Sequence, residues 1–141
     1  MHISYTDFST TRITQAHITP EEVGLGQFAG CLGALDNGVT TILDHFHAAH
    51  TPAHAQAALD STLKSGARVI LAPARQTPAT KVLPAPEFAG EAEAAKFHVQ
   101  LIKDWGVKLR EGRVTLGLGL VPSAHTPLIL LTIEPLDTIW V

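Results

Sequence analysis

"GVTTILDHFHAAHTPAHAQAALDSTLKSGARVILAP", residues 38–73, decides how the rest of the chain is read. "VTTILDHFH" is rich in β-branched residues and almost continuously apolar at its centre. That is the pattern of a strand covered on both faces, as in a parallel sheet. Thr51-Pro52 then sets a capping hydroxyl ahead of a proline at the first helical position. Ala55, Ala58, Leu59, Thr62 and Leu63 fall on one helical face, Lys64 sits in the last turn and Gly66 closes the helix. "ARVILAP" reads as a second buried strand, ended by Pro73. A strand, a helix and a strand in this order predict a right-handed crossover between parallel neighbours.

The flanks continue the alternation. In "ITPEEVGLGQFAGCLGALDNG", Thr19 is an N-cap, Pro20 occupies the first turn and Glu22 completes a Thr-x-x-Glu capping box. Leu25, Phe28, Ala29, Leu32 and Leu35 follow the spacing of a buried helical stripe, and Asn37-Gly38 is the stop. Gly24, Gly26, Gly30 and Gly33 each weaken such a helix by ~1 kcal/mol against alanine, so packing against a neighbour has to hold it. Beyond Pro73 comes a long loop with Pro78, Pro84 and Pro86, of the kind that is either functional or mobile. "GEAEAAKFHVQLIKDWG" predicts a third helix, with Ala94, Phe97, Leu101, Ile102 and Trp105 along one side. "GRVTLGLGLV" predicts a third strand, and "TPLILLTIEPLDTIWV" is an apolar segment without helical period. The class is α/β with a mostly parallel sheet of three to four βα units. Three strands do not close a (β/α)8 barrel, which typically takes ~250 residues.

With 141 residues the chain fits one domain: an N-terminal segment (1–17), the βα units (18–121) and the apolar tail (122–141). A 45% hydrophobic fraction against 16% charged residues excludes disorder as a general description. A net charge of -3 gives no basic footprint for nucleic acid. No run of 18 apolar residues and no secretory leader is read, and the single cysteine, Cys31, excludes an internal disulfide. These features point to a cytoplasmic protein, with Cys31 as an inert buried thiol on a helix face.

Four of the eight histidines, His45, His47, His50 and His54, lie within ten residues. Positions i and i+2 of a strand share a face, so His45 and His47 point together. They stand at the C-terminal end of a strand, where α/β sheets form their sites. Two imidazoles on one face can bind one divalent ion, which makes His45 and His47 candidate metal ligands. They can equally be polar residues at the mouth of a sheet, bonded to backbone or water. Asp44 faces the other way in a regular strand, His50 approaches from the loop, and His54, at the third helical position, can touch the cap. Asp44, His45, His47 and His50 are thus the candidate pocket residues. His98 reads as a partly solvated helix residue and His125 as a loop residue without a nameable partner. "GLGLV" lacks the Lys-Ser/Thr of a phosphate loop.

Gly38, Val39, Thr40, Thr41, Asp44, His45, His47, Thr51, Pro52, His54, Ala55, Ser65, Gly66 and Arg68 carry a further likeness. The segment resembles the metal-dependent amidohydrolase superfamily, in its cytosine-deaminase-like and chlorohydrolase-like branch, strongly over 32–73 and plausibly over 18–120. The resemblance implies a (β/α)8 barrel whose divalent metal, zinc or iron, activates a water that attacks a C–N or C–Cl carbon of a small-molecule substrate. It also implies that "DHFH" belongs to the second barrel strand, where histidines line the pocket more often than they hold metal. The family's first-strand His-x-His would fall before Met1 and its later His, His and Asp beyond Val141. The chain therefore reads as an internal slice that is catalytically incomplete and does not retain the metal alone. Two other readings stand beside it. One is a non-catalytic binding or self-assembling α/β module held by exposed apolar surfaces. The other is a metal centre shared between subunits through His45, His47 and His125.

Overall fold

The computed structural model describes residues 17–75, 77, 79–81 and 87–119. Residues 1–16, most of the proline-rich loop, and the tail with His125 lie outside the described residues.

The elements follow the predicted alternation. Helix α1 spans Pro20–Asp36 and opens with the expected capping box: Thr19 N–H donates to Glu22 Oε2 at 2.7 Å, and Glu22 N–H donates to Thr19 Oγ1 at 3.2 Å. The backbone bond from Thr19 N–H, and after it a bond from Thr19 Oγ1 to the same Oε2 at 2.9 Å, hold the Glu22 carboxyl below the usual carboxylate range. Strand β1 is Ile42–Phe46 and helix α2 is Pro52–Ser65, capped by Thr51 and ended by Gly66 in the left-handed conformation. Strand β2 is Val69–Pro73. Two short strands, β3 (Ala79–Lys81) and β4 (Glu87–Phe88), pair antiparallel where the sequence reading placed only a loop. Helix α3 spans Glu91–Lys108 and strand β5 spans Val114–Leu116.

Strands β1, β2 and β5 form a parallel sheet in that order, with Ile42 opposite Val69 and Val69 opposite Val114. Consecutive parallel strands that are spatial neighbours, each joined to the next through a helix, make a partial α/β fold with an unclosed sheet, consistent with a section of a (β/α)8 barrel. The register puts Ile42, Phe46, Val69, Leu71 and Val114 on one face, where they pack with Leu59 of α2 and with Leu101 and Trp105 of α3. Trp105, 2% exposed, stacks on Phe46 with ring centres 6.4 Å apart.

Two expectations need correction. The stripe Leu25, Phe28, Ala29, Leu32 and Leu35 is not the buried face of α1: Leu25 is 68% exposed, and Leu32 and Leu35 are exposed as well. Helix α1 instead turns Val23, Gly24 and Cys31 inward. The reason is the approach of α2, since a Cβ at Gly24 would stand 3.1 Å from Ser61 Oγ and 3.4 Å from the Ala57 carbonyl oxygen. Polar contacts reinforce this orientation, as Gln27 reaches both β1 and α2. The second correction concerns β1, which is covered on one face only among the described residues: Leu43 is 72% exposed.

In the remaining elements the apolar pattern agrees with burial more closely. Ala55, Ala58, Leu59 and Thr62 of α2 are buried, while Leu63 is exposed. In α3, Ala94, Leu101 and Trp105 are buried, with Phe97 and Ile102 partly so. Cys31 is buried, as expected.

Candidate functional site

The C-terminal end of β1 carries the histidines, and the sheet's period of two sorts them. His45 is paired in register with Ala72 and stands on the helix-free face. His47 follows two positions later, and the rings meet edge-on with centres 4.4 Å apart and an interplanar angle of 61°. Nε2 of His47 lies 3.4 Å from Nδ1 of His45, so one ring donates an N–H to the other.

His45 is also fitted against β2 and the chain after β5. A Cβ at Gly119 would stand 2.7 Å from His45 Cδ2, 2.9 Å from His45 Nε2 and 2.7 Å from the Ala72 carbonyl oxygen. Only a residue without a side chain leaves room for this ring. Gly119 N–H donates to the Pro73 carbonyl at 3.3 Å, which carries the sheet's bonding one step past β5. The "GLGLV" glycines therefore have a packing role that the search for a phosphate loop overlooked. The signal was there in the alternation of Gly117 and Gly119, which shares the period of a strand.

Asp44 faces the helices, as strand geometry required. Its Oδ2 accepts from Gln27 Nε2 at 2.5 Å. The same amide donates to Thr62 Oγ1 at 3.0 Å, and Thr62 donates onward to the Ala58 carbonyl at 2.8 Å. Asp44 thus ties α1, β1 and α2 together. Asp44 and Gln27 still border an open cleft of about 300 Å³ whose other wall includes His45 and His47. The cleft wraps the outer edge of β1 and reaches both faces.

His50 and His54 form a second pair, with ring centres 5.6 Å apart. His54 is structural. Its Nε2–H donates to the Ile18 carbonyl at 2.8 Å, and its Nδ1 accepts from Thr51 Oγ1 at 2.7 Å, so the ring joins the starts of α1 and α2. His50 has both ring nitrogens buried without a hydrogen-bond partner. Burial, and after it the nearby His54, push its pKa down to about 4, so it is neutral at physiological pH.

The four histidines thus separate into two pairs. Among the described residues no three His, Cys, Asp or Glu side chains gather where they could hold one ion. A feature that sequence reading missed lies at the start of α3: Arg75 pairs with Glu91 at 3.3 Å. His98, half-buried nearby, has its pKa lowered by burial and by Arg75. Arg75 follows a strand end and Glu91 opens a helix 16 positions later, so no local pattern links them.

No helix among the described residues is long and apolar enough to cross a membrane. Compared with protein-family models, with curated proteins and with solved structures, the chain has no match.

Proposed function

We propose that this chain is an amidohydrolase-related polypeptide, providing consecutive βα units of a barrel wall and the histidine-bearing lip of a pocket for hydrolysis of C–N bonds in small molecules. The observation that carries the reading is the placement of His45 and His47. They stand side by side on the helix-free face, at the C-terminal end of the first of three consecutive parallel strands. In a barrel that face turns inward and that end holds the chemistry. The resemblance over 32–73 supports the same assignment. With one N–H spent between the rings, a neutral imidazole pair keeps one donor and one acceptor in total, which suits the carbonyl and an N–H of a cyclic amide or aminopyrimidine.

A catalytic zinc centre takes three protein ligands and an open position. The described donors at this lip are two imidazoles, which do not fit such a centre, so no hydrolytic step is drawn through a metal. In this reading the chain binds and orients, and does not turn over by itself.

The test is a titration of the ¹⁵N-labelled protein with cytosine and with a cyclic amide, followed by NMR. Shifts confined to His45, His47 and Gly119 are the expected result, and none at millimolar ligand overturns the pocket. Ammonia release by the purified chain with zinc or iron would overturn the non-catalytic half.

A second reading is favoured by Leu43 and Ile70, both exposed on the helix-free face. A sheet face with this apolar surface fits a self-associating module. Sedimentation velocity across a hundredfold concentration range separates the two. A growing dimer fraction that L43S abolishes supports assembly, and a constant monomer refutes it.

A further inference from the structure

We propose that the free edge of β1 is a docking surface for a second copy of this chain, the two β1 strands pairing antiparallel about a two-fold axis at Leu43. The proposal rests on the self-associating reading above, but it joins the copies through strand edges and not through stacked faces. β1 is the outer strand of the sheet, and among the described residues no strand pairs with its other side. Ile42 N–H donates to the Arg68 carbonyl and the Phe46 carbonyl accepts from Ala74, so the even-numbered residues turn their backbone groups to β2. Strand geometry then directs the N–H and C=O groups of Leu43 and His45 outward. Such a row is a template for another strand, and sheet edges are ordinarily protected by lysine, proline, a bulge or an inward-pointing charge. β1 has no lysine or proline, keeps an unbroken register with β2, and has its one acid engaged by Gln27.

The length of the strand is a second observation. The β-branched run reads as a strand over 39–47, yet regular pairing covers only Ile42–Phe46. β2 starts at Val69, opposite Ile42, and so offers no partner to Val39, Thr40 and Thr41. All three are exposed. Leu43 is the midpoint of the run. An antiparallel copy centred there sets Leu43 against its own counterpart, Thr41 against the copy's His45 and Val39 against the copy's His47. The largely exposed Leu43 gains an apolar neighbour across the axis, and residues 39–41 gain the strand they lack. Only pairing centred on residue 43 uses the run from end to end.

The helix beside the edge leaves space for this. Gly26 of α1 shares a cleft with Asp44, His45 and Phe46 of β1. A Cβ at Gly26, Gly30 or Gly33 would meet nothing within 4 Å, and Leu25 and Leu32 are exposed. In a sheet continued across the axis the copy's α1 comes to the same side, where these glycines permit close approach.

Sedimentation velocity of the full chain over a roughly hundredfold concentration range is expected to show a reversible dimer. Leu43→Pro removes an outward N–H, spares the bonds to β2, and weakens the dimer at least ~tenfold. Ile70→Ser, on the bare face of the central strand, leaves the dimer unchanged. Opposed Cα atoms in a hydrogen-bonded antiparallel pair are about 5.5 Å apart, within disulfide reach. Under mild oxidation Leu43→Cys is therefore expected to cross-link to its copy at least ~tenfold faster than Thr41→Cys, whose counterpart lies about 14 Å away. Cys31 is buried, so the wild-type chain gives the background. A monomer at every concentration overturns both the edge pairing and the self-associating reading. A dimer that survives Leu43→Pro but not Ile70→Ser, or that cross-links equally through Thr41→Cys and Leu43→Cys, overturns the edge pairing alone. Both cysteine substitutions are at exposed positions, so cross-linking decides the register even where Leu43→Pro fails to fold.

Discussion

The two faces of the β1–β2–β5 sheet are built from alternate residues of the same strands, yet they differ in kind. On one, Val69, Leu71 and Val114 are buried against α2 and α3, with Trp105 closing the layer. On the other, Leu43 and Ile70 are exposed, at 72% and 38%, and the strand ends carry His45, Gly117 and Gly119. Neighbouring residues such as Ile70 and Leu71 have similar intrinsic strand preferences, so propensity does not account for the contrast. Which side the crossover helices cover does. Stability is concentrated on the covered face, and the bare face is left to hold chemistry or a partner.

The comparison breaks first at Trp105. Trp105→Ala removes the largest fully buried side chain among the described residues and is expected to cost about 3–5 kcal/mol in chemical denaturation. A loss below 1 kcal/mol would mean that the covered face is not the source of stability. A smaller effect is expected at Thr62, whose buried hydroxyl accepts from Gln27 and donates to Ala58. Thr62→Val leaves the Gln27 amide with one acceptor fewer and costs about 1–2 kcal/mol, measured in the same way.

The site's pH behaviour sharpens the contrast further. His50 has its folded pKa pushed down to about 4, from an ordinary value of 6.5. Between those values the unfolded chain binds a proton that the folded chain does not, so stability falls as pH drops through this window and is level above it. In denaturation midpoints measured from pH 7.5 to 4, His50→Leu shows a shallower decline than wild type. Its relative gain is largest at the acidic end, and parallel curves would refute the assignment. The smallest effect belongs to the bare face: Leu43→Ser is expected to change stability by no more than ~0.5 kcal/mol. A large loss there would reveal a covering layer.

Much of the fold was legible because its signals are local. The Thr-x-x-Glu box at Thr19, the Thr51-Pro52 start and the Gly66 stop each depend on residues a few positions apart, and all three are realised. The orientation of Asp44 away from His45 and His47 follows from the pleat alone. The buried side of α1 was not legible, because an apolar stripe at Leu25, Leu32 and Leu35 competes with the shape of the partner. Gly24 permits the close approach of α2 and Gln27 bonds across it, and these contacts outweigh the stripe. The separation of four histidines into two pairs was equally hidden. It depends on His54 reaching back to Ile18 and on His45 lying against Gly119, across 36 and 74 positions of sequence.

Residue order by itself determined the alternation of helices and strands, their caps, and the shared face of His45 and His47, because these follow from backbone geometry over a few residues. Tertiary structure alone decided which sheet face stays uncovered among the described residues, which side of α1 is buried, and that His45 rests on Gly119. Those outcomes depend on distant segments competing for the same space, and no local spacing encodes that.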